Sequence, residues 1–302
     1  MTLEPDVLAD RRRLKRHITV WRLIALVAIF AVVAVAVWQS RGPAPFRDHI
    51  ARLTVDGLIL DDPVLADAIA AAAKSRRVRA LIVRIDSPGG TTVGGESLFR
   101  ALREAAEDKP VVAVIGTLGT SAGYMVALAA DHIVARETSI TGSIGVLMET
   151  AEISVLLEIL GISAETIRSA PLKGTPSLFE SLTPEARAAA QDAVDDVYQW
   201  FVDLLAERRG LDRGTALALA DGRIFTGRQA KALGLIDATG GEDEAIEWLI
   251  RAREIEPGLP IREIGPEESR SVIRMLTTLG RKTLFSERLR LDGLLSVWQP
   301  DH

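Results

Sequence analysis

Ala80-Leu81-Ile82-Val83-Arg84-Ile85-Asp86-Ser87-Pro88-Gly89-Gly90 is the stretch that sets the fold class. The run from Ala80 to Ile85 is apolar apart from Arg84 and lacks the strict alternation of a half-solvated strand. It ends in residues that favour turns. Such a run marks a strand buried on both faces, and strands of that kind belong to parallel sheets covered by helices. Working outward, Pro63 to Lys74 reads as an Ala-rich helix and Ile50 to Val55 as a strand before it. Gly94 to Ala106 reads as a helix. Val111 to Ile115 repeats the buried-strand pattern and leads into the small residues Gly116 to Ala122, a helix to about Ala130, and a short strand at Ile133 to Ala135. This alternation predicts an α/β domain with a parallel sheet.

Farther on, Thr183 precedes Pro184 and Glu185, a helix start with proline at the first position and acid near the positive end. Val194, Val197, Phe201, Leu204 and Leu205 recur on one side, and Arg209-Gly210 marks the end. Another helix runs from after Gly240-Gly241 to about Arg253. The last fifty residues read as a strand at Ile261 to Ile264 and a partly amphipathic helix. There is no internal repeat.

The chain's 302 residues carry a net charge of −5, but residues 1–41 hold seven Lys or Arg against three Asp or Glu. A basic head on an acidic body argues against nucleic acid as a partner. Leu23 to Trp38 is uninterrupted apolar sequence, and extension back to Ile18 gives a stretch long enough to span a bilayer, with Trp21 and Trp38 near its ends. The basic cluster precedes it, so the positive-inside rule keeps the N-terminus in the cytoplasm and exports the rest. A cleaved signal is the alternative, with Ala34-Val35-Ala36 as its processing site. The expected layout is a basic cytoplasmic head (1–17), a transmembrane helix (18–38), a linker (39–48), an α/β domain (49–253) and a C-terminal extension (254–302). That places a single-pass protein in the inner (cytoplasmic) membrane with its body outside the cytoplasm.

The chain has no cysteine and four histidines, of which only His132 falls within a domain interior. Disulfides, thiol catalysis and a three-histidine metal site are thereby excluded. His132 follows Asp131 and leads a strand, which points to structural packing. In Gly119-Thr120-Ser121-Ala122-Gly123-Tyr124 a serine follows a buried strand among small residues at a helix start. It is either an N-cap or a nucleophile activated by the helix N-terminus. Asp86-Ser87-Pro88-Gly89-Gly90 is either a tight turn or an oxyanion-binding loop of backbone N–H groups. Ser87, followed directly by Pro88, reads as a turn residue, although it is a rival nucleophile. A base is then needed. Arginine stays protonated, whereas a desolvated lysine can lose its proton. Six lysines are present. Lys173, in the irregular and nearly uncharged Ala170-Pro171-Leu172-Lys173-Gly174, is the one placed to be desolvated, and a surface loop is its other reading.

Taken in order, these blocks resemble the signal peptide peptidase A family, a Ser-Lys group, in its short bacterial form. They are Asp86 to Gly90; Ser121-Ala122-Gly123-Tyr124 with Ala129-Ala130-Asp131; Thr141-Gly142-Ser143-Ile144-Gly145-Val146; Lys173; and Asp221 to Ala230 with Gly234-Leu235-Ile236-Asp237. The resemblance covers roughly residues 50–249. It implies a crotonase/Clp-protease-like fold of repeated ββα units behind one transmembrane helix. It implies Ser121 as nucleophile, Lys173 as base, Ser143 as the serine that orients the lysine amine, and Gly89 or Gly90 as oxyanion donor, with a lean to Gly89. No cofactor or metal is implied. Hydrophobic peptides, above all remnant signal peptides, are the implied substrates, and a homo-oligomer with sites shared between neighbours is the implied assembly. One departure stands out, Ala122 where the family often has glycine. The rival readings are a related membrane peptidase with a specific protein client, a crotonase-like enzyme acting on acyl thioesters, and an inactive membrane scaffold.

Overall fold

A computed structural model describes residues 21–27, 47–265 and the backbone of 295–297. The chain divides into two units, Met1–Arg47 and Asp48–His302. Within the first, residues 21–27 are helical and exposed. The other positions of the expected span, 18–20 and 28–38, lie outside the described residues, as does the basic head. Among the described residues no helix is long and apolar enough to cross a membrane.

The second unit is an α/β domain. Its strands are β1 (His49–Ile59), β2 (Val78–Thr91), β3 (Val111–Thr120), β4 (His132–Ala135), β5 (Ile140–Gly142), β6 (Ile224–Thr226), β7 (Ala238–Thr239), β8 (Ile261–Ile264) and β9 (Leu295–Val297). The helices are α1 (Pro63–Lys74), α2 (Thr92–Asp108), α3 (Ala122–Ala127), α4 (Ser154–Ile159), α5 (Pro184–Arg209), α6 (Arg213–Leu219), α7 (Gly227–Ala232) and α8 (Glu242–Arg253). The sheet order is β6-β5-β3-β2-β1-β8, with β4 joining β3 to β7 and β9 added to β2. All pairs are parallel except β5 with β6 and β2 with β9.

The apolar run in β2 divides between two cores. Leu81, Val83 and Ile85 join a cluster with Leu98, Leu102, Met125 and Phe201. Ala80 and Ile82 face the opposite side, with Val112, Val134, Ala245 and Leu249. Side chains alternate across a strand, so a continuous apolar run is what a sheet buried on both faces requires. Each fully buried Leu, Ile or Val is worth about 1.5–3 kcal/mol of transfer free energy, which fixes the register of the central strands.

α5 begins as its sequence requires. The Thr183 hydroxyl accepts the Ala186 N–H, Pro184 opens the first turn, and Gly210 ends the helix in the left-handed conformation at φ 62°. Phe201, Val202, Leu204 and Leu205 are buried, but Val194 and Val197 are only half-buried, so the packing stripe belongs to the second half of the helix.

Two elements differ from expectation. β2 does not stop at Ile85 but continues through Asp86–Gly90 to Thr91, so Ser87 is a strand residue and not a turn residue. Pairing with β1 on one side and β9 on the other holds Gly89 and Gly90 extended in the sheet. The helix after Ser121 ends at Ala127, short of Ala130. Most of the last fifty residues, with the expected amphipathic helix, lie outside the described ones.

Candidate active site

The site begins where β2 and β3 lose step. Ile85 pairs with Ile115, but the next rung is Ser87 with Gly119, so β3 carries two extra residues. The Asp86 carboxylate receives two of the freed amides, Leu118 N–H at 3.1 Å and Thr117 N–H at 3.4 Å. Thr141 donates its hydroxyl to Gly119 O at 2.7 Å, and Thr120 donates to Pro88 O at 3.1 Å. These bonds bring the end of β3, and with it Ser121, beside Pro88-Gly89-Gly90.

Ser121 is 1% exposed and stands at φ 56°, ψ −119°, a conformation most residues avoid. Its side chain makes no cap bond to α3. The plain N-cap reading therefore fails, and the α3 start is secured by backbone, with Met125 N–H donating to Ser121 O at 2.9 Å. Ala122 is fully buried, and its methyl faces Gly95, where an added β-carbon would come within 3.1 Å of it. The departure from the usual glycine is thus accommodated by a missing side chain on α2.

Ser143 lies next to this corner at φ 49°, and its N–H donates to Arg223 O at 2.8 Å. Gly142 has φ 84° and sits so close to Phe225 that a β-carbon would lie 2.6 Å from the ring. Antiparallel pairing of Thr141 with Phe225 and Gly142 with Ile224 thus joins the Thr141-Gly142-Ser143 block to the Asp221–Thr226 block.

Gly90 is obligatory on packing grounds, since a β-carbon there would lie 1.8 Å from Ile59 O. Gly89 has φ 113°, and its N–H donates to Ser87 Oγ at 3.1 Å. On the edge of β2 beyond Ser87, β9 pairs antiparallel, matching Gly89 with Val297, Gly90 with Ser296 and Thr91 with Leu295. The edge next to Ser121 therefore accepts an extended chain.

Of the two readings of Lys173, its own chain shows the surface loop. It lies on a turn, its backbone N–H donating to Ala170 O at 3.0 Å, and it is exposed. Among the described residues its side chain enters no hydrogen bond or ion pair. Its own chain does not desolvate it, because the surrounding segment is itself exposed. α4 buries nothing, Ile159 is 77% exposed and Ile167 95%. Ser121, Ser143, Gly89 and Gly90 are thus gathered at one corner, while Lys173 sits on an exposed arm.

His132 is structural, as its context implied. It stacks on Trp248 at 4.6 Å, and its Nδ1 lies 3.9 Å from Asp237. Burial holds its pKa below the ordinary imidazole value. Burial, the largest single influence, pushes the Asp237 carboxyl up, but the hydrogen bond and charge of Arg209, the Ile133 N–H and the nearby His132 together leave it below the usual range. Arg209 grips Asp237 with two nitrogens at 2.8 and 3.1 Å, and the Tyr124 hydroxyl donates to Leu235 O at 2.7 Å. The Gly234–Asp237 block therefore anchors α3 from below. Among the described residues no group of three or more His, Cys, Asp or Glu could hold a metal. The sequence reading took Ser87 for a turn residue and rival nucleophile rather than a partner of Gly89, and it held no strand at residues 295–297. The hydroxyl next to a Pro-Gly-Gly was the only available signal for the Ser87 bond.

Residues 103–256 match the model of peptidase family S49. A Synechocystis sp. protein with a provisional protease name is 37% identical over 234 residues, covering 76% of this chain and 83% of that one. The chloroplastic serine protease SPPA of Arabidopsis thaliana is 35% identical over 197 residues, covering 64% of this chain but only 29% of its own length. Among solved structures, a ClpP1 variant from Listeria monocytogenes aligns with TM-score 0.44 at 14% identity, covering 65% of this chain and 94% of that chain.

Proposed function

This chain belongs to peptidase family S49 and is a serine peptidase, and we propose that Ser121 is its nucleophile and Lys173 its general base, acting on extended hydrophobic peptides such as remnant signal peptides. The observation that carries this reading is the antiparallel seating of β9 on Gly89–Thr91, at the edge beside a buried serine held in a strained corner. A peptide laid along the same edge would run past Ser121 with its carbonyls facing backbone amides.

In the proposed cycle, neutral Lys173 accepts the Ser121 proton as Oγ attacks the peptide carbonyl. The oxyanion is held by backbone N–H groups of the Gly89-Gly90 segment and of the first turn of α3, whose amides have no intrahelical partner. The C–N bond breaks as Lys173 returns the proton to the leaving amine. Water, deprotonated by Lys173, then attacks the acyl-enzyme and releases the acid. Ser143 orients the lysine amine.

The exposed arm supports an assembly reading. Val155, Leu156, Ile159 and Ile167, on the same exposed segment of chain as Lys173, present large apolar side chains to solvent. We place this arm against a neighbouring copy, where Lys173 meets that copy's Ser121 and loses its water. The N-terminal span anchors the oligomer in the inner membrane with the catalytic face outside the cytoplasm. The fold, on this reading, is the Clp-protease-like one.

Labelling of the full chain in detergent or membranes by a fluorophosphonate probe tests the dyad. Wild type should label, and Ser121→Ala and Lys173→Ala should not, with the oligomer unchanged. Persistent labelling of Ser121→Ala would remove Ser121 as the nucleophile.

A further inference from the structure

Ser87 is fully buried, and the proposed cycle gives it no task. It occupies the last rung of the β2–β3 pairing, opposite Gly119. Its Oγ accepts the Gly89 N–H at 3.1 Å and leans toward Gly89 O at 3.3 Å. On its other side lies Gly123, where an added β-carbon would meet Ser87 O at 3.1 Å and Ser87 Cβ at 3.4 Å. Ser87 therefore stands between the glycine segment and the corner that carries Ser121.

We infer that Ser87 is a positioning residue for the oxyanion donors: its hydroxyl fixes the Gly89 peptide and thereby aims the Gly90 amide at the carbonyl under attack. The inference rests on the reading of Ser121 as nucleophile. Two adjacent glycines have wide backbone freedom, and Gly89 stands at φ 113°. Donors stabilise an oxyanion only when held in place before the reaction. The Gly89 N–H is committed to Ser87, which leaves Gly90 as the amide that serves the substrate. A rigid rung at Ser87 on one side and the close approach of Ile59 O on the other leave that peptide little room to turn.

The test compares the full-length wild type with Ser87→Ala and Ser87→Cys. Cysteine keeps the shape of serine but accepts hydrogen bonds weakly. Three readouts are taken: kcat and KM on a fluorogenic hydrophobic peptide, inhibition by the matching peptide aldehyde, and the fraction of sites labelled by a fluorophosphonate. Both variants should lose kcat per labelled site by roughly ten- to a hundred-fold, since small misplacement of a catalytic group has effects of that order. Aldehyde affinity should fall with kcat, because the aldehyde adduct also needs the oxyanion donors, while KM stays near wild type. Wild-type kcat and aldehyde affinity in either variant would overturn the proposal. So would a fall in labelled fraction alone, with the surviving sites fully active, since that is the signature of a packing role. Failure of the underlying reading is seen separately, as labelling that persists in Ser121→Ala.

Discussion

The backbone N–H of Ser121 donates to the carbonyl of Gly142 at 2.8 Å, so the strained Ser121 corner is stapled directly to the peptide that precedes Ser143. Both serines stand at positive φ, 56° and 49°, and each is pinned there by a backbone bond from its own N–H. The geometry of the site is thus imposed by the sheet rather than chosen by the serines.

That imposition has a measurable price in stability. Ser121→Gly should be more stable than Ser121→Ala by about 1 kcal/mol, because glycine adopts this conformation without steric penalty. Urea denaturation midpoints of the two variants check this, and an alanine variant of equal or greater stability would contradict it.

Lys173 is exposed within its own chain, which leads to a mixing experiment. Ser121→Ala and Lys173→Met are each expected to be inactive. Oligomers assembled from an equal mixture should regain peptide hydrolysis, because some interfaces pair an intact serine with an intact lysine. Persistent inactivity of mixed oligomers, verified as mixed by pull-down of differently tagged copies, would place the pair within one chain.

β9 lies on the edge proposed for the substrate. Removal of residues 294–302 should therefore lower KM for a hydrophobic peptide at unchanged kcat, since the peptide no longer displaces the chain's own strand. An unchanged KM would mean that substrate uses a different edge.

Stability should decline on the acid side of neutrality. Burial depresses the His132 pKa, so the unfolded chain binds this proton more readily than the folded one. The contribution of His132 is then full above the ordinary imidazole value of 6.5 and is lost as pH falls below it toward the folded pKa. Asp237, whose pKa is also depressed on balance, adds a second loss at lower pH as its carboxyl protonates. Denaturant unfolding between pH 8 and 5 should show the decline, and His132→Phe, which keeps the ring against Trp248, should flatten its upper part. An unaltered slope in that variant would assign the decline to other groups.

Gly90→Ala should destabilise the domain by roughly 3 kcal/mol or more, because its β-carbon would overlap a backbone oxygen that cannot rotate away. Gly174→Ala meets no neighbour, and only its φ of 81° resists the change. A smaller loss at Gly90 than at Gly174 in thermal unfolding would contradict the packing argument.

Much of this was readable from the chain alone. α1 and β8 lie at the bounds that their apolar pattern and flanking residues predict, Pro63–Lys74 and Ile261–Ile264. Strong local signals, a capped Ala-rich helix and a continuous apolar strand, survive tertiary context. The turn reading of Asp86–Gly90 did not survive. Local turn chemistry there is overridden by pairing with residues distant in sequence, Leu58 and Ile59 on one side and Ser296 and Val297 on the other. Ser121, Ser143, Gly89 and Gly90 do converge. The ordered blocks indicated them, whereas the one sign of the Ser87–Gly89 bond was a hydroxyl beside Pro88-Gly89-Gly90. The surroundings of Lys173 were illegible for a different reason. Desolvation depends on what covers the arm, and no residue pattern within one chain specifies that.

The partnership of β1 with β8 bears on how the protein is made. Arg52 on β1 bonds Glu263 on β8 across 211 positions of sequence, and Ile50 pairs with Ile261. The outer edge of the first strand therefore stays unpaired until nearly all of the domain has left the ribosome. Contacts of such long sequence separation form late and slowly. A product that terminates before residue 261 keeps a bare strand edge, and bare edges recruit other copies into aggregates.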